Sequence, residues 1–72
     1  MSEGILIYDF QKDRFDVRYS CEEYRGGLFC GDTFEAWHNG RWVPVRIEMK
    51  PDRTWYLVGL KNVDLMGLRV RI

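Results

Sequence analysis

The dipeptide Asn39-Gly40 joins two apolar segments of alternating pattern, and it constrains the fold more than any other feature. A type I′ hairpin turn needs positive φ at both central residues, and Asn and Gly adopt this conformation at the lowest cost. A two-residue turn also fixes the pairing of its strands. We therefore expect His38 to oppose Arg41 and Trp37 to oppose Trp42, with Thr33 to Ile47 forming one hairpin.

This register separates the hairpin into two faces. One face is apolar and is predicted to belong to the core: Phe34, Ala36, Val43, Val45 and Ile47. The other face, which we call the aromatic face, carries the two tryptophans among mixed side chains: Trp37, Trp42, Thr33, Glu35, Pro44 and Arg46. A slip of one residue would mix these sets, so the sequence itself favours the register.

Further alternating segments flank the central hairpin. The predicted strands span about 4–10, 14–19, 33–38, 41–49, 54–60 and 68–72. The glycine-containing stretch 20–32 is expected to be a loop with at most one short helical turn, over Cys21 to Arg25, and with Leu28 and Phe29 against the core. This order predicts an all-β fold, a small SH3-like barrel of five to six antiparallel strands in a single domain over residues 1–72.

The turn at 50–53 sets the position of the fifth strand. With Met49 opposite Thr54, Ile47 faces Tyr56. This pairing places Trp55 and Leu57 on the aromatic face. The terminal strand is expected to direct Leu68, Val70 and Ile72 to one side and to leave Arg69 and Arg71 as its solvated side.

Composition argues against several classes of function. Eleven basic and eleven acidic residues give a net charge of zero, so no overall field attracts nucleic acid or an anionic membrane. The longest apolar run is far too short for a membrane span, and we expect a cytoplasmic protein. Two cysteines, Cys21 and Cys30, and the single histidine His38 cannot complete a four-ligand zinc site. We expect semi-buried structural thiols, no metal and no cofactor.

An enzyme is the poorest fit to the motifs. The lone histidine lies beside a hairpin turn, where side chains are usually solvated, and no phosphate-binding loop or nucleophile elbow is present. The pairs Glu22/Glu23 and Asp32/Glu35 lack any predicted burial that would separate their pKa values. We therefore expect no catalytic residue.

The aromatic face is the most informative surface feature. Its predicted site residues are Trp37, Trp42, Trp55, Leu57, Arg46 and Arg41. Three interpretations remain open: a secondary core beneath a curled sheet or the 20–32 loop, an interface with another protein or a second copy of this chain, and a surface for single-stranded nucleic acid. We favour protein binding as the function, with single-stranded nucleic acid as the alternative.

Several short motifs carry a resemblance to a known family: Cys30-Gly31, Trp42-Val43, Arg46-Ile47-Glu48, Trp55-Tyr56-Leu57-Val58 and Gly67 to Ile72. From Gly4 onward the chain resembles a family of short uncharacterised β-domains of unknown function from Firmicutes and their mobile elements. The shared residues are fold-forming. The resemblance implies a bacterial, cytoplasmic setting and no assigned activity.

Overall fold

The computed structural model describes residues 1–72, which form six antiparallel strands and no helix. The strands are β1 (Glu3–Asp9), β2 (Arg14–Arg18), β3 (Thr33–His38), β4 (Arg41–Met49), β5 (Trp55–Val58) and β6 (Arg69–Arg71). They make one sheet in the order β2-β1-β6-β3-β4-β5. The all-β prediction is confirmed, and the optional helical turn over Cys21 to Arg25 does not form. No helix is present that would be long and apolar enough to cross a membrane.

The central hairpin has the predicted register over its whole length. Asn39 and Gly40 have φ values of 51° and 78°, the left-handed pair that a type I′ turn requires. His38 pairs with Arg41, and Trp37 pairs with Trp42. The local turn chemistry thus decides which side chains of β3 and β4 share a face.

Ten apolar side chains from all six strands and one loop form the buried core. They are Leu6, Phe15, Val17, Leu28, Phe34, Ala36, Val45, Ile47, Leu57 and Val70. Each strand contributes alternate residues to the concave side of the sheet, as expected of strands with one buried face. A chain this short buries little surface, so each of these side chains carries a large share of the stability.

The short terminal strand β6 joins the two halves of the sheet. It lies between β1 and β3, pairing Val70 with both Gly4 and Ala36. Backbone hydrogen bonds in both directions between Ser2 and Ile72, 3.0 Å each, extend this contact. Val70 is buried and Leu68 and Ile72 pack on the core, as the alternation predicts.

The loop between β2 and β3 runs along the outer edge of β2. Arg25 and Leu28 donate backbone N–H groups to the carbonyls of Val17 and Phe15 at 2.9 and 2.8 Å. Leu28 is fully buried, as predicted. Phe29 was predicted to pack on the core but is 57% exposed, because it lies under the Arg14 guanidinium instead, 4.4 Å from ring centre to Cζ. The predicted semi-burial of Cys21 and Cys30 is also wrong, since both thiols are exposed.

Asp16 holds this loop in place. Asp16 alternates with the core residues Phe15 and Val17 along β2, so its side chain points away from the core, yet it is only 4% exposed. Its Oδ1 accepts hydrogen bonds from the backbone N–H groups of Val17, Gly26 and Gly27 at 2.7, 3.0 and 2.8 Å. Three donors satisfy the buried carboxylate, and the loop thereby covers one edge of the sheet.

The register of β5 differs by one residue from the prediction. Met49 pairs with Trp55 rather than Thr54, and Ile47 pairs with Leu57. The cause is the turn: Lys50 donates to the Thr54 carbonyl at 2.9 Å, and Arg53 has a φ of 72°. The observed turn therefore has three residues, 51–53, instead of the predicted four, 50–53. This difference shifts the pairing by one residue, so the side chains of β5 that were predicted to point outward point into the core.

The sheet curls until its two end strands approach each other. The rings of Phe15 on β2 and Trp55 on β5 meet edge to face with centroids 6.3 Å apart. Arg53 also reaches Asp13 across the two hairpin turns, at 3.1 Å. No ladder of backbone hydrogen bonds joins β2 to β5, so the sheet is open.

Candidate functional site

Trp37 and Trp42 form an aromatic pair on the convex side of the sheet. They are directly opposite in the β3–β4 ladder, and their rings meet edge to face with centroids 5.1 Å apart and planes at 69°. Both side chains are half-buried. Edge-to-face geometry is the arrangement that aromatic pairs prefer, so the two rings stabilise each other's position.

Two arginines from β6 lie over this pair. The Arg69 guanidinium carbon is 5.0 Å from the Trp37 ring centre and 5.3 Å from that of Trp42. The Arg71 guanidinium carbon is 4.5 Å from the Trp42 ring centre. These distances are within the range of cation–π attraction, and they explain how the rings become half-buried on an outward face.

Each guanidinium is also held by a carboxylate. Arg71 Nε bonds Glu35 Oε1 at 2.8 Å, and Arg69 bonds Glu3 Oε2 at 2.9 Å. Both arginines lie on the same outward side as these glutamates, since Arg71 is paired in the ladder with Glu3 and Glu35. Charge-assisted hydrogen bonds of this kind orient the planar guanidinium groups above the rings.

Two of the predicted site residues lie elsewhere. The shifted register of β5 turns Leu57 into the core, where it is 4% exposed. Trp55 lies on the same concave side and packs on the core against Phe15. The prediction that Trp55 and Leu57 extend the aromatic face is therefore wrong.

The predicted arginines divide between the two sides of the sheet. Arg46 alternates with Trp42 along β4 and lies on the aromatic face, where its Nε bonds Glu48 Oε2 at 2.8 Å. Arg41 pairs with His38, one position out of phase with Trp42, and belongs to the other side. From the predicted set, Trp37, Trp42 and Arg46 thus share one side of the sheet, and Trp37 and Trp42 contact each other.

Sequence reasoning did not predict that Arg69 and Arg71 lie over the aromatic pair. The alternation of β6 already indicated that Arg69 and Arg71 point outward. No sequence signal indicated that β6 lies beside β3, and this position alone brings the arginines over the tryptophans.

The 20–32 loop does not cover the aromatic pair. Its backbone hydrogen bonds follow β2 and end at Ile47, where Gly31 donates to the carbonyl at 2.9 Å. Trp37 and Trp42 are not among the residues packed against the core. Arginine side chains, rather than a loop, form the cover.

Two of the carboxylates that were considered for catalysis make structural contacts instead. Asp32 Oδ2 accepts the Phe29 N–H at 2.9 Å, and Glu35 is paired with Arg71. No three His, Cys, Asp or Glu side chains lie in an arrangement that would hold a metal ion. His38 is half-buried beside the hairpin turn.

Two groups have altered pKa values, both near the junction of the end strands. A hydrogen bond from the Tyr8 hydroxyl to Asp13 raises the pKa of Tyr8 above its ordinary value of 10.0. Hydrogen bonds from the Thr54 side chain and backbone lower the pKa of Asp52. Neither group contacts the aromatic pair.

Comparison with known proteins identifies the family. The model of the family described as "Domain of unknown function (DUF5348)" matches residues 4–72. The chain belongs to this family. A crystal structure of a protein from Ruminococcus gnavus, a structural-genomics target, is similar to it with a TM-score of 0.90 and 50% identity, over 97% of this chain and 99% of that chain. A search of curated proteins finds no match.

Proposed function

We propose that this DUF5348 domain is a non-enzymatic cytoplasmic module that binds another protein through its aromatic face, with a second copy of the chain as the first partner to test. The observation that supports this proposal is the pair Trp37 and Trp42 beneath two guanidinium groups that are themselves held by Glu3 and Glu35. Trp and Arg are the residues most enriched among interface hot spots. Their fixed positions reduce the entropy lost on binding.

Apolar side chains extend this surface on both sides. Ile5 on β1 is 48% exposed beside Arg69, and Val58 on β5 is 39% exposed opposite Arg46. A groove of about 460 Å³ beside Pro44 is lined by residues of β3, β4 and β5. Apolar area around a central aromatic pair is the pattern expected of a protein interface.

The charges of the face suit a second copy. Three arginines are each paired with a glutamate: Arg46 with Glu48, Arg69 with Glu3, and Arg71 with Glu35. In a two-fold interface the same surface of two copies meets itself. Such an interface favours a surface on which positive and negative charges are equal in number. The aromatic face meets that condition.

Size-exclusion chromatography with light scattering tests the proposal directly. The wild type is expected to form a dimer that dissociates on dilution, and Trp42→Ala is expected to remain folded as a monomer. Phe29→Ala is the matched control, because the Phe29 ring also lies beneath a guanidinium but is in the 20–32 loop. A wild type that stays monomeric at every concentration contradicts self-association, and a molten Trp42→Ala variant supports a purely structural role for the pair.

Single-stranded nucleic acid is the alternative ligand. Bases stack on aromatic rings, and Arg69 and Arg71 lie beside the tryptophans. Each of these cations is already paired with a carboxylate, which weakens attraction to phosphate. Titration of a fluorescent oligonucleotide at two salt concentrations separates the two ligands, because only nucleic-acid binding falls steeply with salt.

We also infer that the curled sheet is an SH3-like barrel that opens between β2 and β5. The contact between Phe15 and Trp55 supports this, since it joins the two end strands through side chains alone. A bacterial mobile-element setting is proposed from the sequence resemblance, and the gene neighbourhood of family members tests it.

A further inference from the structure

The free edge of β5 faces a cleft that the aromatic face does not include. β5 is the last strand of the sheet and pairs only with β4. The cleft has a volume of about 490 Å³ and lies between β5 and the segment that follows it, residues 59–65. The edge of β2 at the other end of the sheet is covered by its loop, so β5 is the edge left without a cover of paired backbone.

The ladder shows which backbone groups of β5 point into the cleft. Ile47 donates to the Asp32 carbonyl at 3.0 Å and accepts from the Gly31 N–H at 2.9 Å, so both of its groups point toward β3. Leu57 is its partner on β5. In an antiparallel ladder, N–H and C=O of one residue point to the same side, so those of Leu57 point away from β4.

The backbone groups of Leu57 have no partner within the chain. They occur in none of the backbone hydrogen bonds outside the strand ladders. Leu57 is 4% exposed because Leu60, Val63 and Leu65 pack beside it, so a strand that pairs with Leu57 must displace part of the 59–65 segment. Buried backbone groups in folded proteins are nearly always paired. Trp55 occupies the equivalent position two residues earlier, opposite Met49. Together the two residues present the alternating donors and acceptors that an added strand requires.

The side chains around the cleft indicate the chemistry of such a strand. Leu60, Val63 and Leu65 supply an apolar wall that packs on the core. The charged residues of the cleft are Lys50 and Lys61, both exposed and without an ion pair, and no Asp or Glu lines it. Apolar side chains flanked by carboxylates complement this surface.

We propose that the β5 edge binds an extended peptide segment of a partner protein, apolar at the positions that enter the cleft and acidic at its ends, by addition of a strand. A second copy of β5 fits less well, because residues 53–63 contain no carboxylate and would bring a second set of lysines. This site borders the extended surface at Val58 but does not include Trp37 or Trp42, and it does not depend on their function.

Amide hydrogen exchange measured by NMR tests the proposal. The probe is a six-residue peptide of alternating valine and threonine with glutamate at each end. At saturation, the amides of Trp55 and Leu57 are expected to exchange about tenfold more slowly, as new hydrogen bonds form. The amides of Tyr56 and Val58 already pair with β4 and are expected to change little. This alternation distinguishes strand addition from general stabilisation.

Matched probes and variants define the outcomes. A peptide with lysine at both ends, or with an N-methylated central valine, is expected to lose most of the binding. Lys61→Glu is expected to weaken binding of the acidic peptide up to about fivefold, whereas Arg25→Glu, the same charge change on the opposite edge, has little effect.

Three results would overturn the proposal: equal protection of all β5 amides from exchange, equal binding of the N-methylated peptide, or NMR shift changes centred on Trp37 and Trp42. Concentration-dependent protection without peptide would assign the edge to a second copy and overturn it too.

Discussion

The guanidinium carbon of Arg71 lies 4.5 Å from the centre of the Trp42 ring, although the two residues are on strands that do not pair with each other. β3 lies between them and supplies Glu35, which fixes the guanidinium at 2.8 Å. The candidate interface is therefore a tertiary arrangement of three strands, and its strength is open to measurement.

Removing the Arg71 side chain tests this arrangement. Arg71→Ala is expected to lower the free energy of unfolding by about 1 kcal/mol, because it removes a cation–π contact and a half-buried ion pair. Arg71→Lys should recover only part of this, since an ammonium group lacks the planar fork. Urea unfolding measures the loss, and near-UV circular dichroism reports the tryptophans. Unchanged tryptophan signals in Arg71→Ala, with Arg25→Ala as control, would contradict the contact.

Alanine substitutions at two neighbouring residues of β5 test its register. Leu57→Ala is expected to destabilise the domain by about 2–5 kcal/mol, because it opens a cavity in the core. Val58→Ala lies on the outward side and should cost less than about 1 kcal/mol. Chemical denaturation compares them. Equal or reversed losses would support the register in which Leu57 points outward.

Asp16 is expected to be the most sensitive charged residue. Asp16→Ala leaves three backbone N–H groups without their acceptor. Those of Val17 and Gly27 are buried, and a buried unsatisfied group costs about 1–3 kcal/mol. Hydrogen exchange should also accelerate at Gly26 and Gly27. Glu22→Ala, an exposed carboxylate of the same loop, serves as the control. Normal stability of Asp16→Ala would show that the loop does not depend on the carboxylate.

Alkaline titration tests the hydrogen bond between Tyr8 and Asp13. The pKa of Tyr8 is raised because its hydroxyl donates to the Asp13 carboxylate. The stabilisation from this hydrogen bond is fully present below the pKa of Tyr8 in the unfolded state, about 10. It is lost as the pH rises through the higher pKa of Tyr8 in the folded state. Absorbance difference titration against Tyr8→Phe isolates the group. Asp13→Asn should return the pKa toward its ordinary value, and an unchanged pKa would contradict the bond.

Alanine substitutions at two glycines with the same φ distinguish the cost of backbone strain from the cost of a steric clash. Gly59 and Gly26 both have φ of +104°, but a Cβ on Gly59 would lie 2.6 Å from the Pro44 carbonyl oxygen, whereas one on Gly26 meets nothing within 4 Å. Both alanine variants are expected to lose about 1 kcal/mol from backbone strain. Gly59→Ala should lose more. Equal melting temperatures of the two variants would show that the β4 backbone moves at Pro44 to accommodate the new Cβ.

Local residue patterns predicted most of the fold. The Asn39-Gly40 turn specifies its own conformation, and the flanking alternation then sorts both strands into a core face and an aromatic face. The strands at 4–10 and 14–19 and the alternation of β6 were also predicted from local residue patterns. The prediction of β5 was wrong because the left-handed residue of its turn is Arg53, a residue type that does not signal positive φ.

The sequence by itself thus determined the all-β class, the central register and the pairing of Trp37 with Trp42, since these depend on residues close together in the chain. Only the tertiary structure decided that β6 lies between β1 and β3, that Asp16 is buried, and that Arg69 and Arg71 cover the tryptophans. The physical reason is that strand order depends on how the whole core is buried, and no local pattern records which distant strand becomes a neighbour.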